Sequence, residues 1–314
     1  MPAALNLVFC GTPAFAVPTL DRLVEAGFRV ALVVTQPDRP KGRGLEVISS
    51  PVKRRAVPLG LAVSQPPGIK NNEGFRAQLA DLKPEAIIVV GYGRIIPPWM
   101  LDLPPLGNIN LHASLLPKYR GAAPIQWAIA RGEAVTGVTT MKIDAGLDTG
   151  DILLQQEMPI GASDTAETLF PKLAAMGADL MVTTLRGLQA GTIRSHQQNH
   201  AQATLAPILR KEDGLIDFSR PAGEILNRMR GFQPWPGAYT KFRGKTLQVW
   251  QAAAVERSLP VAELKVEGDH IFVGCGADTG IEILELQLEG KKRSSAADFL
   301  RGYRVSSGEK LGLS

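Results

Sequence analysis

Cysteine is nearly absent: the 314 residues contain two, Cys10 and Cys275. That excludes a disulfide framework and a multi-cysteine metal site, and it predicts a reducing cytoplasm as the working compartment. Long apolar runs are missing as well, since none approaches the roughly 20 residues needed to span a bilayer. The stretch from Met1 to Cys10 has neither a basic n-region nor a small-residue cleavage site, so no secretory signal is expected. Neither sign of charge dominates. A net charge of +5 permits an anionic partner without demanding one. Gly11, Gly91 and Gly93 each follow an apolar run, but no complete G-x-G-x-x-G opens a helix, which leaves a nicotinamide or flavin site weakly supported.

What is present reads as a globular protein long enough for two domains, with 45% hydrophobic and 21% charged residues. The first half alternates short apolar runs with helical periodicity, the pattern of a mostly parallel α/β sheet. Strands are expected at 5–10, 29–35, 86–90, 109–112, 137–143 and 152–158. Helices are expected from Phe15 to Gly27 and over 122–131. A longer helix opens at the capping-box-like Asp164-Thr165-Ala166-Glu167, runs towards Leu188, and is expected to kink or break at Pro171. The loop 36–44 is too rich in proline and glycine for regular structure. Residues 191–206 turn polar and aperiodic and are expected to link domain 1–190 to domain 207–314. After one helix at 222–229, short runs at 247–253, 270–274 and 280–288 predict a small β-barrel.

The chemistry-bearing stretch is Asn108-Ile109-Asn110-Leu111-His112-Ala113-Ser114-Leu115-Leu116-Pro117-Lys118-Tyr119-Arg120-Gly121. Side chains repeat every second residue on a strand, so Asn110 and His112 share a face at its carboxyl end, where open α/β sheets bind ligands. A carboxamide and an imidazole there suit acyl transfer: one donates to a developing oxyanion, the other donates or shuttles a proton. The loop Ile143-Asp144-Ala145-Gly146-Leu147-Asp148-Thr149-Gly150-Asp151 follows another apolar strand and offers a carboxylate to orient His112. Each residue alone has an ordinary use. A strand-end histidine is commonly a structural hydrogen-bonder, asparagine a turn residue, and an Asp-Gly loop a hairpin connection.

Taken together, Asn110-Leu111-His112-Ala113-Ser114-Leu115-Leu116-Pro117, the following Arg120-Gly121-Ala122-Ala123-Pro124 and the Asp148 loop resemble the two motifs of the 10-formyltetrahydrofolate-dependent formyltransferases. The resemblance implies a Rossmann-like first domain, an oligonucleotide-binding (OB-like) barrel after it, and Asn110, His112 and Asp148 as the catalytic trio. It further implies folate contacts from Ser114, Leu115, Leu116 and Pro117, and from Arg94, Ile95 and Ile96 in Gly91-Tyr92-Gly93-Arg94-Ile95-Ile96. Cys10-Gly11-Thr12-Pro13, Thr35-Gln36-Pro37-Asp38-Arg39-Pro40-Lys41-Gly42-Arg43-Gly44 and Gly231-Phe232-Gln233-Pro234-Trp235-Pro236-Gly237-Ala238 are similar to the branch that acts on initiator tRNA. So is Gly290-Lys291-Lys292-Arg293 with Ala296-Ala297-Asp298-Phe299-Leu300.

For that branch the implied reaction moves the formyl group of 10-formyltetrahydrofolate to the amine of methionine esterified to the initiator tRNA. Arg39, Lys41 and Arg43 would meet the acceptor stem, with Lys53-Arg54-Arg55 beside them and Lys241, Arg243, Lys245 and Lys291-Lys292-Arg293 on the barrel. All of these read equally as solvated surface. The formyl donor is already activated, so no metal is expected, and a monomer is expected. Two other functions stay open: formyl transfer to a small amine such as a nucleotide-sugar, and an RNA-binding protein that keeps the fold without the reaction.

Overall fold

The computed structural model describes residues 4–41 and 46–312 and divides them into two compact units. The first comprises 1–124, 135–159 and 170–206; the second comprises 125–134, 160–169 and 207–314.

Strands of the first unit are β1 (Asn6–Gly11), β2 (Arg29–Val34), β3 (Arg39–Lys41), β4 (Glu46–Ile48), β5 (Val63–Ser64), β6 (Ala86–Val90), β7 (Asn108–His112), β8 (Val135–Lys142) and β9 (Ile152–Pro159). Seven of them form one sheet in the order β5-β2-β1-β6-β7-β8-β9. The first five in that order run parallel, and β8 and β9 are antiparallel additions at one edge. β6 is buried at every residue, as befits a central strand covered on both faces, whereas β9 is exposed over most of its second half. From β1 the chain builds outward to β2 and β5, then returns to place β6 and β7 on the other side. The carboxyl ends of β1 and β6 therefore flank a topological switch point, where a crevice opens.

Helices α1 (Val17–Glu25), α2 (Pro51–Ala56), α3 (Glu73–Leu82) and α4 (Pro98–Leu101) lie among these strands, with α5 (Pro124–Ala130) and α6 (Ala166–Gln189) after them. Two expectations need correction. The proline-rich loop is partly regular, because β3 and β4 pair antiparallel through the backbone, with Arg39 opposite Ile48. The break expected at Pro171 does not occur, because helix α6 continues through it as one element. Its N-cap is Thr165, not Asp164: the Thr165 and Thr168 hydroxyls each accept the other's backbone N–H at 3.2 and 3.0 Å, a reciprocal box.

The second unit holds α7 (Ala222–Gly231), β10 (Tyr239–Phe242), β11 (Lys245–Val255), β12 (Leu264–Glu267), β13 (His270–Gly274), β14 (Gly280–Leu288), β15 (Ser294–Ser295) and α8 (Ala296–Gly302). The strands form one antiparallel sheet, β10-β11-β14-β13-β12, with β15 on β14. Inward residues Leu247, Val249, Ile281, Ile283, Leu286 and Val273 make its core with Phe242 and Phe299. The C-terminal segment ties both edges together. Leu264 and Ala262 on the β12 side bond with Glu309 and Leu311, while the Gly312 N–H donates to the Lys241 carbonyl on β10. Arg243 beyond β10 adds two bonds to the Glu309 carboxylate, both at 2.8 Å. Those bonds take up edge groups that would otherwise be open to pairing. Within this unit Trp127 of α5 meets Phe232 edge-to-face, centroids 5.2 Å apart.

Both cysteines are buried; burial alone pushes the Cys10 thiol far above its usual range, and burial, partly offset by a backbone hydrogen bond from Ile281, pushes Cys275 up to about 11. A thiolate is the reactive form, so the native protein should consume no aromatic disulfide reagent at pH 8, and two equivalents once unfolded. Rapid labelling of the native protein at either residue would contradict this packing.

Candidate active site

β7 positions the first two groups. Its residues alternate, so Asn110 and His112 lie on one face while Ile109 and Leu111 are buried from the other. Asn110 stands half-exposed at the wall of a cleft of about 530 Å³, and its carboxamide has no hydrogen-bond partner among the described residues. The same cleft is lined by Gly91–Ile96 after β6, by Gly121 and by the 144–148 loop after β8. Gly91–Ile96 and Gly121 follow the carboxyl ends of the parallel strands β6 and β7, and the loop after antiparallel β8 joins them through Asp148, which bonds to the Gly121 N–H.

His112 lies behind that wall, 6% exposed, and does not line the cleft. Its Nε2 is 2.8 Å from the Tyr119 carbonyl oxygen. A carbonyl only accepts, so Nε2 carries a proton and donates. Nδ1 faces Asp148 Oδ2 at 3.7 Å, an ionic distance rather than a hydrogen bond. Asp148 Oδ2 accepts the Gly121 N–H at 2.8 Å, which leaves one carboxylate oxygen for the cleft. Gly121 has φ of +120°, and a Cβ there would stand 2.7 Å from the Ala206 carbonyl oxygen, so the residue that anchors Asp148 has to be glycine. Asn110, His112 and Asp148 thus come together from β7 and from the loop after β8: a free amide donor, an oriented imidazole and a carboxylate between them.

The folate-assigned segments part company. Arg94, Ile95 and Ile96 line both this cleft and an adjoining one of about 1110 Å³, with Ile95 90% exposed. Ser114, Leu115, Leu116 and Pro117 line neither. Ser114 is buried and donates to the Lys118 carbonyl at 2.6 Å, and Leu116 packs on Met141 and Ile152. A third cleft, about 570 Å³, shares Gly91, Tyr92 and Gly93 with the first and is edged by Arg39 and Arg54.

A family model described as formyl transferase matches residues 5–185, and its C-terminal domain model matches 208–304. The methionyl-tRNA formyltransferase of Koribacter versatilis is 67% identical over 306 residues, covering 98% of each chain. The chain belongs to the methionyl-tRNA formyltransferase family. The enzyme of that name from Acidobacterium capsulatum is 61% identical, over 98% of this chain and all of the relative. Among solved structures, the N-formyltransferase of Helicobacter canadensis superposes with a TM-score of 0.67 at 20% identity, covering 89% of this chain and 98% of that one, a likeness of fold.

In this formyltransferase the basic residues near the crevice are differently committed. Lys53 binds Asp38 at 2.5 Å and holds that carboxyl below the usual range, and Arg55 binds Asp21 at 2.6 Å. Arg39 faces the third cleft and makes a long contact to Gln36, 3.4 Å. Lys41 is placed by its backbone in β3, and Arg43 lies outside the described residues. Of the second unit's cations, Arg243 is committed to Glu309, and Arg293 pairs with Glu285 over the Trp250 ring. Sequence reasoning missed Gln198 and Arg120 as parts of the site. Both are buried and bond to each other, and Gln198 bonds to the Asp148 loop. Arg120 stands inside the family motif without a role assigned to it, whereas Gln198 lies in a polar stretch with no periodicity, the signal of a connector.

Proposed function

We propose that this enzyme transfers the formyl group of 10-formyltetrahydrofolate to the α-amine of methionine on initiator methionyl-tRNA, in the cytoplasm and as a single chain. The observation that carries the reading is the cleft lined by the unpaired Asn110 amide and by Asp148, with His112 behind its wall facing Asp148. The amine attacks the formyl carbon, the new C–N bond forms, and negative charge collects on the formyl oxygen. Asn110 donates to that oxyanion. His112, held by Tyr119 and Asp148, sets the field behind it, and the free oxygen of Asp148 steers a water that takes the amine proton to the departing folate nitrogen.

Two adjoining clefts give the substrates separate approaches. The folate donor fits along Arg94, Ile95 and Ile96, where the 1110 Å³ and 530 Å³ clefts share their walls. Ser114, Leu115, Leu116 and Pro117 then act on it through the loop they brace. The acceptor end of the tRNA fits the opposite opening, past Arg39 and strand β3 that ends at Lys41, with Arg43 a further contact. Incubation with 10-formyltetrahydrofolate and charged initiator tRNA should yield formyl-methionine by mass. Formylation of an amino-sugar nucleotide, with charged tRNA inert, would overturn the assigned acceptor.

A further inference from the structure

Gln198 falls in the polar stretch 191–206, yet it is 5% exposed and directs its amide nitrogen at the Asp148 loop. Its Nε2 donates to the carbonyl oxygens of Asp148, at 2.9 Å, and Gly150, at 2.7 Å. Its Oε1 accepts from Arg120 Nε at 3.1 Å and Nη2 at 2.6 Å. Carbonyls only accept and a guanidinium only donates, so the amide has a single permitted orientation. Arg120 is itself buried, and among the described residues it has no carboxylate partner. Its Nη2 also donates to His200 Nδ1 at 3.0 Å, and its backbone pairs with Thr204 and Ala206 at 2.8 and 2.7 Å.

Asp148 is therefore gripped twice. Gly121, next to Arg120, holds its carboxylate, and Gln198 holds its main chain. The second grip answers a specific need. Asp148 has φ of +52°, a left-handed conformation that is strained for a non-glycine residue and persists where the surroundings over-determine it. We propose that Gln198 is the positioning residue of this site, fixing Asp148 through its backbone while Arg120 locks Gln198 in turn. The inference rests on the reading of Asp148 as a member of the catalytic trio.

Gln198→Glu is the decisive variant. The carboxylate still accepts from Arg120 and gains an ion pair, so the segment stays anchored, but it has no N–H for either carbonyl. The expected result is a kcat roughly 10- to 100-fold lower with KM for both substrates little changed, because a small misplacement of a reacting group costs rate rather than binding. Gln198→Glu should also add almost nothing on an Asp148→Ala background, since a residue acting through Asp148 has nothing left to position. Arg120→Lys, a milder change, should lower kcat in the same direction by less. A wild-type kcat in Gln198→Glu, or full multiplication of the two losses in the double variant, would overturn the inference. Should Gln198→Glu lose its melting transition, the same cycle with Arg120→Lys decides it by the same two criteria. An Asp148→Ala enzyme of wild-type rate would instead overturn the trio itself, a separate outcome.

Discussion

Asn110→Ala is expected to lower kcat by about 10²–10³-fold, or ~2.7–4 kcal/mol of transition-state stabilisation, the usual cost of one oxyanion donor. The structure makes this a clean experiment. The Asn110 carboxamide bonds to nothing among the described residues, so its removal breaks no internal contact and leaves no buried group unpaired. Melting temperature should stay at the wild-type value while turnover collapses. The division between kinetic constants matters as much as the size. A donor used only once charge has built on the formyl oxygen lowers kcat and kcat/KM equally, with KM for folate and for charged tRNA unmoved. An unchanged kcat with a raised KM would make Asn110 a ground-state contact and remove it from the chemistry.

Why Asn110 could be found from the sequence and Gln198 could not is a matter of range. Asn110 and His112 sit two apart on a strand whose apolar alternation fixes their shared face, so local periodicity carries the inference. β6, β13 and β14 were legible on the same ground, with apolar runs bounded by turn residues. Gln198 acts 50 residues from Asp148 and 78 from Arg120 along the chain. No periodicity encodes such a meeting, and a buried amide looks the same in a sequence as a solvated one. The β3–β4 hairpin was hidden for the opposite reason: its ladder is backbone pairing, and prolines and glycines mask it. The expected break at Pro171 is absent because the rule against helical proline is strictest well inside a helix. Here it is the sixth residue, and the bond it forfeits, to the Glu167 carbonyl, belongs to the first turns. In the second unit the strands were plain, but the part of the C-terminal segment in joining β10 to β12 depends on bonds from Glu309, Leu311 and Gly312, a stretch with no strand signal.

His112→Ala is expected to match or exceed the loss in Asn110→Ala, about 10²–10³-fold or more in kcat, for a different reason. Asn110 faces the cleft, whereas His112 stands behind it with Nε2 on the Tyr119 carbonyl and Nδ1 towards Asp148. Removing the ring deletes its hydrogen bond to that carbonyl, which should cost roughly 0.5–1.5 kcal/mol of stability. The variant should therefore melt earlier yet keep native secondary structure, since β7 retains its backbone ladders to β6 and β8. The loss of rate comes from Asp148. At 3.7 Å the pair is poised rather than bonded, and once the ring is an imidazolium a contraction of under an ångström, of the kind substrate binding brings, lets Nδ1–H donate to the Asp148 carboxylate. Without the ring, Asp148 keeps its grip on Gly121 but has no group to orient. If the two residues work as one unit, His112→Ala combined with Asp148→Ala should be little slower than the worse single variant. Independent losses that multiply would mean that His112 stabilises the oxyanion without Asp148, and would assign the carboxylate to the water-borne proton alone.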